Sequence, residues 1–423
     1  MNSLPKLRNL FFYLALTTPF WYFSSLSLLG LQHPGSDQSN SYWIIVLSVS
    51  VLSYFFILIS IFLKRYVSKS DLILYLLPLI LPIIFLYTGN FYGLALQSIS
   101  LYLLFVMPAS YIGLILSRSN HVEFLWPYLG ILGILVTIGT ASTIPVLLNT
   151  PFNELIDIFA GGHYQALSYF CSFAFLSTTF YMFFYEKRVT FLKFLILAFL
   201  ILAQLITIGL SGGRGGILVV FFGIFVILAY KSNFLTILIM MIIIPFLIYG
   251  LFLIIPYIDF IDTERVTKSI QRLFEYIDSG GIDFSQSSNR DIFYLHGINY
   301  ILESPIFGHG IFTIYDNSPH PYFGAPGFYY PHNFVLEVLI HGGILYLFFW
   351  ILVLISFFIK LTYIIKQDRR QIFIYIFFIY SFTMLTVSGT YIQDAQFWFS
   401  LFYVFGYKIP NSNEASHKPL LLT

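Results

Sequence analysis

A few charged and polar residues interrupt the apolar segments of this chain, and any chemistry would depend on them. Arg214 is one, since it lies in Ser211-Gly212-Gly213-Arg214-Gly215-Gly216 between two apolar segments. The glycines would let a ligand approach the backbone, and the amides of a helix that begins here would favour an anion. A guanidinium group matches the geometry of a phosphate. The pattern predicts an anion site at Arg214, and a lipid-headgroup anchor is the alternative interpretation.

His332 and Glu337 are the residues best suited to move a proton. His332 lies in Pro331-His332-Asn333, directly before an apolar segment that contains Glu337. A histidine has an unperturbed pKa of ~6.5 and can accept a proton near neutral pH. A carboxylate one turn inside an apolar helix is costly unless it is paired or functional. We therefore predict a base at His332 or Glu337, with an ordinary interfacial histidine as the alternative for His332. Asp394 lies just inside the last apolar segment, and the same argument predicts that its carboxylate is also paired or functional.

Two further features are weaker when each is taken alone. Arg290 begins a predicted helix and would by itself be a solvated charge. The segment Glu303-Ser304-Pro305-Ile306-Phe307-Gly308-His309-Gly310 predicts a tight turn whose glycines suit a backbone that bends near a cavity. Five other histidines are interpreted as ordinary interfacial residues: His163, His296, His309, His320 and His341.

The usual metal-binding spacings are absent from the sequence. The outer loops contain no Asp-x-Asp pair, and the chain has no Cys/His ligand spacing and no glycine-rich phosphate loop ending in Lys-Ser/Thr. The single cysteine, Cys171, lies in an apolar run, which excludes an intramolecular disulfide framework. We therefore expect a site that uses no metal and no cofactor.

Membrane-spanning helices must position these residues. The composition is 58% hydrophobic and 9% charged, whereas soluble domains carry about 25% charged residues. Apolar runs long enough to cross ~30 Å of hydrocarbon occur at about residues 10–30, 42–63, 71–88, 92–116, 124–148, 162–185, 191–210, 215–230, 233–256, 333–359, 371–388 and 391–408. The sequence therefore predicts an all-α polytopic membrane protein with about 12 transmembrane helices, and the first span is expected to be uncleaved.

The distribution of basic residues predicts the orientation. If the N-terminus is cytoplasmic, all of the 21 lysines and arginines lie inside except Arg214, Arg265, Lys268, Arg272 and Arg290. Short cytoplasmic loops carry an excess of basic residues, so the expected topology is N-in and C-in. Residues 1–256 then hold spans 1–9, residues 257–332 a large periplasmic loop, residues 333–408 spans 10–12, and residues 409–423 a cytoplasmic tail.

The loop at residues 257–332 is expected to contain short helices. Residues 264–278 place Ile270, Leu273, Phe274 and Ile277 on one helical face, which predicts an amphipathic helix on the membrane surface. Residues 289–303 predict a second helix that ends before Pro305, followed by a Gly/Pro/aromatic loop to residue 331. Nearly all the other predicted loops are short. A long structured loop in such a protein is most often functional, so we expect this loop to be functional.

Together, these motifs resemble the O-antigen polymerase and O-antigen ligase superfamily, membrane glycosyltransferases of the C-type fold class. The resemblance covers about residues 205–350. It depends on four features in this order: Ser211-x-x-Arg214-Gly215, a helix that begins at Arg290, Pro305-x-x-Gly308-x-Gly310, and His332-Asn333-x-x-Leu336-Glu337 followed by Gly342-Gly343.

The resemblance implies a transfer between undecaprenyl-diphosphate-linked oligosaccharides, the donor and the acceptor, on the periplasmic face of the bacterial inner membrane. It implies that Arg214 and Arg290 bind the diphosphate and that His332 acts on the acceptor hydroxyl. Ser211, Gly215 and Asn333 would belong to the same substrate site. The expected reaction is metal-independent and inverting. Membrane lipid, a chain-length regulator and a flippase are the expected partners, and no nucleic acid is expected.

The branch of this superfamily is left open by the motifs. We favour the polymerase, which moves a growing chain onto a new lipid-linked unit, because the composition, rich in Phe, Ile and Tyr, resembles that of a divergent O-antigen cluster gene. The ligase, which transfers the chain to lipid A core, shares the motifs, and a protein-directed oligosaccharyltransferase is a third branch. A twelve-span transporter is a distant alternative, because such proteins usually have their long loop in the cytoplasm after span six.

Overall fold

The computed structural model describes residues 3–28, 39–64, 72–88, 94–119, 122–149, 164–185, 190–211, 213–231, 290–311, 331, 333–387 and 389–408. All regular secondary structure in these ranges is helical. The first helices are α1 (Ser3–Leu16), α2 (Thr18–Leu28), α3 (Ser39–Lys64), α4 (Leu72–Thr88), α5 (Leu94–Leu101), α6 (Met107–Leu116), α7 (Val122–Ala141) and α8 (Ile144–Asn149). They are followed by α9 (Tyr164–Phe180), α10 (Phe191–Ser211), α11 (Arg214–Lys231), α12 (Arg290–Glu303), α13 (Phe334–Gln367), α14 (Ile374–Val387) and α15 (Ala395–Gly406).

Seven helical segments in these ranges are long and apolar enough to cross a membrane. They are Tyr42–Phe62, Ser98–Leu116, Val122–Ala141, Gln165–Tyr185, Phe191–Ser211, Phe334–Gln367 and Arg369–Val387. Two shorter apolar helices, Leu72–Ile83 and Gly215–Lys231, also coincide with predicted spans. The structure therefore agrees with an all-helical polytopic membrane protein. The number of twelve spans and the orientation stay predictions, and the expected span at 233–256, the amphipathic helix at 264–278 and the tail at 409–423 lie outside the described residues.

The predicted first span, residues 10–30, is divided into α1 and α2 at Thr17. Pro19 has no backbone N–H group, so it cannot continue the hydrogen-bond ladder of α1. Side chains satisfy the carbonyl groups that this break leaves open. Thr18 Oγ1 donates to the Leu14 and Ala15 carbonyls at 3.1 and 3.0 Å, and Trp21 Nε1 donates to the Leu14 carbonyl at 2.9 Å.

The predicted last span, residues 391–408, is helical only from Ala395. Asp394 is the residue before α15, and its Oδ1 accepts a hydrogen bond from the Phe397 N–H at 2.8 Å. This is a helix N-cap, which satisfies a backbone donor that would otherwise have no partner. The carboxylate that the sequence marked as functional or paired is therefore paired with the backbone.

Helix α14 lies at the centre of the described C-terminal helices. It packs against α9 and α11 as well as against α13 and α15. Aromatic pairs occupy the contacts with α13 and α15, including Phe357–Phe378 with ring centroids 4.5 Å apart and Phe377–Phe399 at 5.0 Å. Such pairs stabilise packing beyond the apolar area that they bury. Since α9 and α11 pack together, α14 lies between that pair of helices and the pair α13 and α15.

Candidate functional site

The glycine turn at residues 211–216 connects α10 to α11. Ser211 is the last residue of α10, and Arg214 is the first residue of α11, so a helix N-terminus is present where the sequence predicted it. Ser211 is buried, and its Oγ donates to the Ile208 carbonyl at 2.8 Å. The side chain of Arg214 lies outside the described part of the structure.

The glycines of this turn allow a close contact with α9. A Cβ atom on Gly215 would overlap the ring hydroxyl of Tyr169, and one on Gly216 would overlap Ser168 Oγ. Ser168 Oγ also donates to the Gly213 carbonyl at 2.9 Å. The sequence predicts that the glycines admit a ligand, but in the described residues the space beside Gly213, Gly215 and Gly216 is occupied by α9.

Gly342 and Gly343 interrupt α13 eight to nine residues after its start. Gly342 has φ −143° and ψ 18°, and Gly343 has φ 63° and ψ −160°, so neither continues the helical hydrogen-bond ladder. The segment Pro305–Gly310 bonds to the interrupted backbone instead. These hydrogen bonds join His309 N to Ile340 O (2.8 Å), Gly310 N to His341 O (2.9 Å) and Ile344 N to Pro305 O (2.9 Å).

Positive φ angles and close backbone contact explain the glycines in this junction. Gly308 and Gly310 have φ angles of 65° and 93°, a region that favours glycine. A Cβ atom on Gly308 would lie 2.6 Å from the His341 carbonyl carbon, and one on Gly343 would overlap the Ile306 backbone. Two motifs that are separate in the sequence therefore form one unit, which we call the 305–343 junction (Pro305–Gly310 with Gly342 and Gly343).

We expect Gly343→Ala to lower the thermal stability of the purified protein and its activity. The alanine would be strained at a positive φ, at a cost of about 1–3 kcal/mol, and its Cβ atom would overlap the backbone of Ile306. The melting temperature in detergent measures the effect. Gly209→Ala in α10 is the matched control, since a Cβ atom there meets nothing within 4 Å. An equal melting temperature for the Gly343→Ala variant and the wild type would contradict the geometry of the junction.

Glu337 lies in the first turn of α13 and is 1% exposed. Thr390 Oγ1 donates a hydrogen bond to its Oε1. Its Oε2 has no hydrogen-bond partner among the described residues. Buried polar atoms normally have a partner, and those without one call for an explanation. The carboxylate therefore has an acceptor position open to a further donor, such as a substrate hydroxyl or a neighbouring histidine.

His341 lies one helical turn after Glu337 and is also buried. Its Nδ1 is 2.8 Å from the hydroxyl oxygen of Tyr391, which lies 3.4 Å from that of Tyr346. The sequence interpretation of His341 as an ordinary interfacial residue was therefore wrong. Thr390 and Tyr391 are adjacent in the segment between α14 and α15, so this one segment contacts both Glu337 and His341.

Sequence reasoning missed Thr390 and Tyr391, and the only available signal was indirect. Glu337 and His341 are four residues apart, which places them on one face of a helix. That spacing could have marked a polar face in an otherwise apolar span. It could not have identified the partners, because Thr390 and Tyr391 follow Glu337 and His341 by 53 and 50 residues in the sequence.

Two of the three remaining predicted site residues, Arg290 and Asn333, lie at helix ends. Arg290 is the first residue of α12, which agrees with the helix predicted at 289–303, although its side chain lies outside the described part of the structure. Asn333 is the N-cap of α13, and its Oδ1 accepts from the N–H groups of Val335 and Leu336 at 3.0 and 3.1 Å. His332 lies outside the described residues.

His309 connects α12 to the 305–343 junction. Its Nε2 lies 2.6 Å from the Tyr300 carbonyl oxygen, and its ring packs edge-on against the Tyr300 ring with centroids 5.4 Å apart. Helix α12 also packs against α13. The helix that begins at Arg290 is thereby attached to the helix that carries Glu337.

The described residues contain no group of three or more His, Cys, Asp or Glu side chains that could hold a metal ion. Residues 197–351 match the family model described as O-antigen ligase. No curated protein and no solved structure matches the chain. The matched segment contains all four motifs, from Ser211 to Gly343, and extends from α10 to the middle of α13.

Proposed function

Since the family match supports the O-antigen polymerase and ligase superfamily, we propose that this chain polymerises a surface polysaccharide as a membrane glycosyltransferase. The donor is a glycan on undecaprenyl diphosphate, and the acceptor is a sugar hydroxyl of another lipid-linked repeat unit. The main support is that the 305–343 junction and the buried Glu337 form one unit within the matched segment.

Arg214 and Arg290 bind the diphosphate in this proposal. Each is the first residue of a helix, α11 and α12 respectively, where the backbone amides and the helix dipole favour an anion. Two guanidinium groups stabilise the negative charge that develops on the leaving diphosphate without a metal ion. Ser211 and Gly215 maintain the packing of the α10–α11 turn, and Asn333 caps α13, so we assign these three residues to supporting the substrate site.

His332 or Glu337 accepts the proton of the attacking hydroxyl. A positioned base contributes about 10²–10⁴-fold to the rate of such a step. His332 directly precedes the N-cap of α13, and Glu337 follows one turn later. Thr390 orients the Glu337 carboxylate, so Glu337 can orient a histidine base or receive the proton itself. A single in-line displacement at the anomeric carbon inverts its configuration.

The proposed topology is twelve spans in the bacterial inner membrane with both termini in the cytoplasm. The distribution of basic residues supports this topology, because only five of the 21 lysines and arginines then lie on the periplasmic side, and short cytoplasmic loops carry an excess of basic residues. The 257–332 loop and the outer ends of α10, α11 and α13 then face the periplasm, where lipid-linked units are presented. A flippase that supplies these units and a chain-length regulator are the proposed partners.

The ligase is the second candidate, because the matching family model is described as O-antigen ligase. Gel electrophoresis of lipopolysaccharide from a deletion strain separates the two. A polymerase deletion leaves core carrying a single repeat unit, whereas a ligase deletion leaves core without repeats. An unchanged ladder would contradict both functions.

We expect transfer by the purified protein to survive an excess of EDTA. The proposed site stabilises the leaving diphosphate with arginines, and the outer loops contain no acidic pair suited to a divalent cation. The measurement compares initial rates before and after chelation. A loss of activity that magnesium or manganese restores would overturn the metal-independent mechanism.

A further inference from the structure

A cavity of about 640 Å³ lies between α4, α13 and α15. Its walls are mainly large apolar and aromatic side chains, among them Leu77, Phe349, Trp350, Trp398, Phe402 and Phe405. At one end it is lined by Gly310, His341 and Gly342, which belong to or adjoin the 305–343 junction. The cavity therefore begins at the 305–343 junction and continues along the apolar side chains of three helices.

The end at the junction is polar, whereas the rest is apolar. His341 and Tyr346 line this end, and both are joined to the Tyr391 hydroxyl. His341 is 5% exposed, and it is the one imidazole that lines the cavity among the described residues. A ligand with a polar head at His341 and a long apolar chain beyond it would match this distribution.

The cavity is partly lined by exposed side chains of α13. Leu345 and Phe349 both line it, and each is 53% exposed. In a membrane, side chains with this exposure contact lipid. A lipid chain could therefore enter the cavity sideways from the bilayer.

The next step rests on the proposed function. Transfer from one lipid-linked glycan to another requires two isoprenoid chains beside one site. The proposed diphosphate site of the donor begins at Arg214 on α11, which packs against α9 and α14. The cavity lies beyond α14, between α13, α15 and α4, so the two lipids would approach from different sides.

We propose that this cavity binds the isoprenoid chain of the acceptor. Pockets of about 300–1,000 Å³ enclose one small ligand, which suits part of a single isoprenoid chain. They do not suit the several acyl chains of a lipid A anchor. A single-chain acceptor is the substrate of a polymerase, so the cavity supports that branch over the ligase.

Two cavity-filling substitutions and a matched control test the proposal. Leu345→Trp fills the cavity from α13, and Leu77→Trp fills it from α4 in case the first variant does not fold. Leu352→Trp is the control, since Leu352 lies on the same helix as Leu345, is 47% exposed and does not line the cavity. The probe is photoactivatable undecaprenyl phosphate, added to the full chain in lipid nanodiscs and mapped by peptide mass spectrometry.

We expect wild-type labelling on the facing segments of α4, α13 and α15, with at least a fivefold loss in both filled variants and none in the control. In transfer assays, the KM for a single lipid-linked acceptor unit should rise at least fivefold in the filled variants. The KM for a donor that carries a preassembled chain should not change. Labelling that is equal in all variants would overturn the proposal.

Two other outcomes would show that the cavity binds a molecule other than the acceptor chain. Displacement of the probe by an equal amount of phosphatidylglycerol would identify an ordinary membrane phospholipid. A rise in the donor KM alone would assign the cavity to the donor chain. If the wild-type protein is labelled in the cavity but forms no polymer from intact substrates, the proposed function fails while the lipid site is retained.

Discussion

Arg214→Lys and Arg214→Ala are both expected to abolish or strongly reduce long-chain polysaccharide, while the protein still inserts into the membrane. A lysine keeps the charge but loses the planar pair of donors that matches a phosphate. Removal of one donor from a site that stabilises a developing negative charge costs about 10²–10³-fold in rate. Arg214 begins α11 at the turn that packs on α9. Because this packing holds the backbone in place, the backbone cannot move to compensate for a shorter side chain.

Lipopolysaccharide gels of a complemented deletion strain measure this effect, with immunoblots of the membrane fraction to verify insertion. Arg265→Lys is the control, since the sequence assigns Arg265 to a surface helix that contacts anionic headgroups. The polysaccharide made by the Arg265→Lys strain should have normal chain length. Full chain length in the Arg214→Lys strain would show that charge alone suffices and would contradict the bidentate diphosphate site.

His332→Ala is expected to leave donor binding largely intact and to lower turnover by about 10²–10⁴-fold, the usual contribution of a general base. A base acts in the transition state, whereas the arginines act on the bound donor as well, so kcat and donor affinity should separate. Both quantities are measured on the purified variant, affinity by direct donor binding and kcat at saturating donor. Poor donor binding, or substantial turnover at saturation, would mean that His332 only binds substrate or caps the helix.

Glu337→Gln distinguishes the two candidate bases. If the Glu337→Gln variant is inactive and the His332→Ala variant is active, the Glu337 carboxylate is the base. Thr390→Val removes the hydroxyl that donates to Glu337, and Thr390→Ser retains it. If Glu337 takes part in the reaction, the valine variant should have a lower kcat than the serine variant, with similar levels of folded protein.

Local sequence signals were sufficient to predict the helical elements. A spanning helix satisfies its own backbone hydrogen bonds and requires a long apolar run, and both requirements apply to consecutive residues. The sequence also indicated where α12 and α13 begin, since the predicted ranges 289–303 and 333–359 start one residue before Arg290 and Phe334. It did not indicate the division of the first span at Thr17, where Pro19 blocks the ladder, although proline was visible as a possible cause.

The candidate site was only partly predictable. Glu337 could be identified because a carboxylate in an apolar span is costly, and the Gly/Pro segment at 305–310 could be identified as a bend. His332, Arg214 and Arg290 stay predictions. His341 was misinterpreted, although it lies inside the predicted span at 333–359, because a lone histidine has no local feature that distinguishes a solvated ring from a buried one.

What the sequence determined by itself is the all-helical polytopic class and the residue types available for chemistry, since composition and periodicity are properties of neighbouring residues. Only the tertiary structure showed that Pro305–Gly310 bonds to the break at Gly342–Gly343, that α9 fills the space beside Gly215, and that Thr390 and Tyr391 reach Glu337 and His341. These contacts join segments from about thirty to fifty residues apart. Which helix faces meet depends on how all the helices pack at once, and no local pattern in the sequence specifies that arrangement.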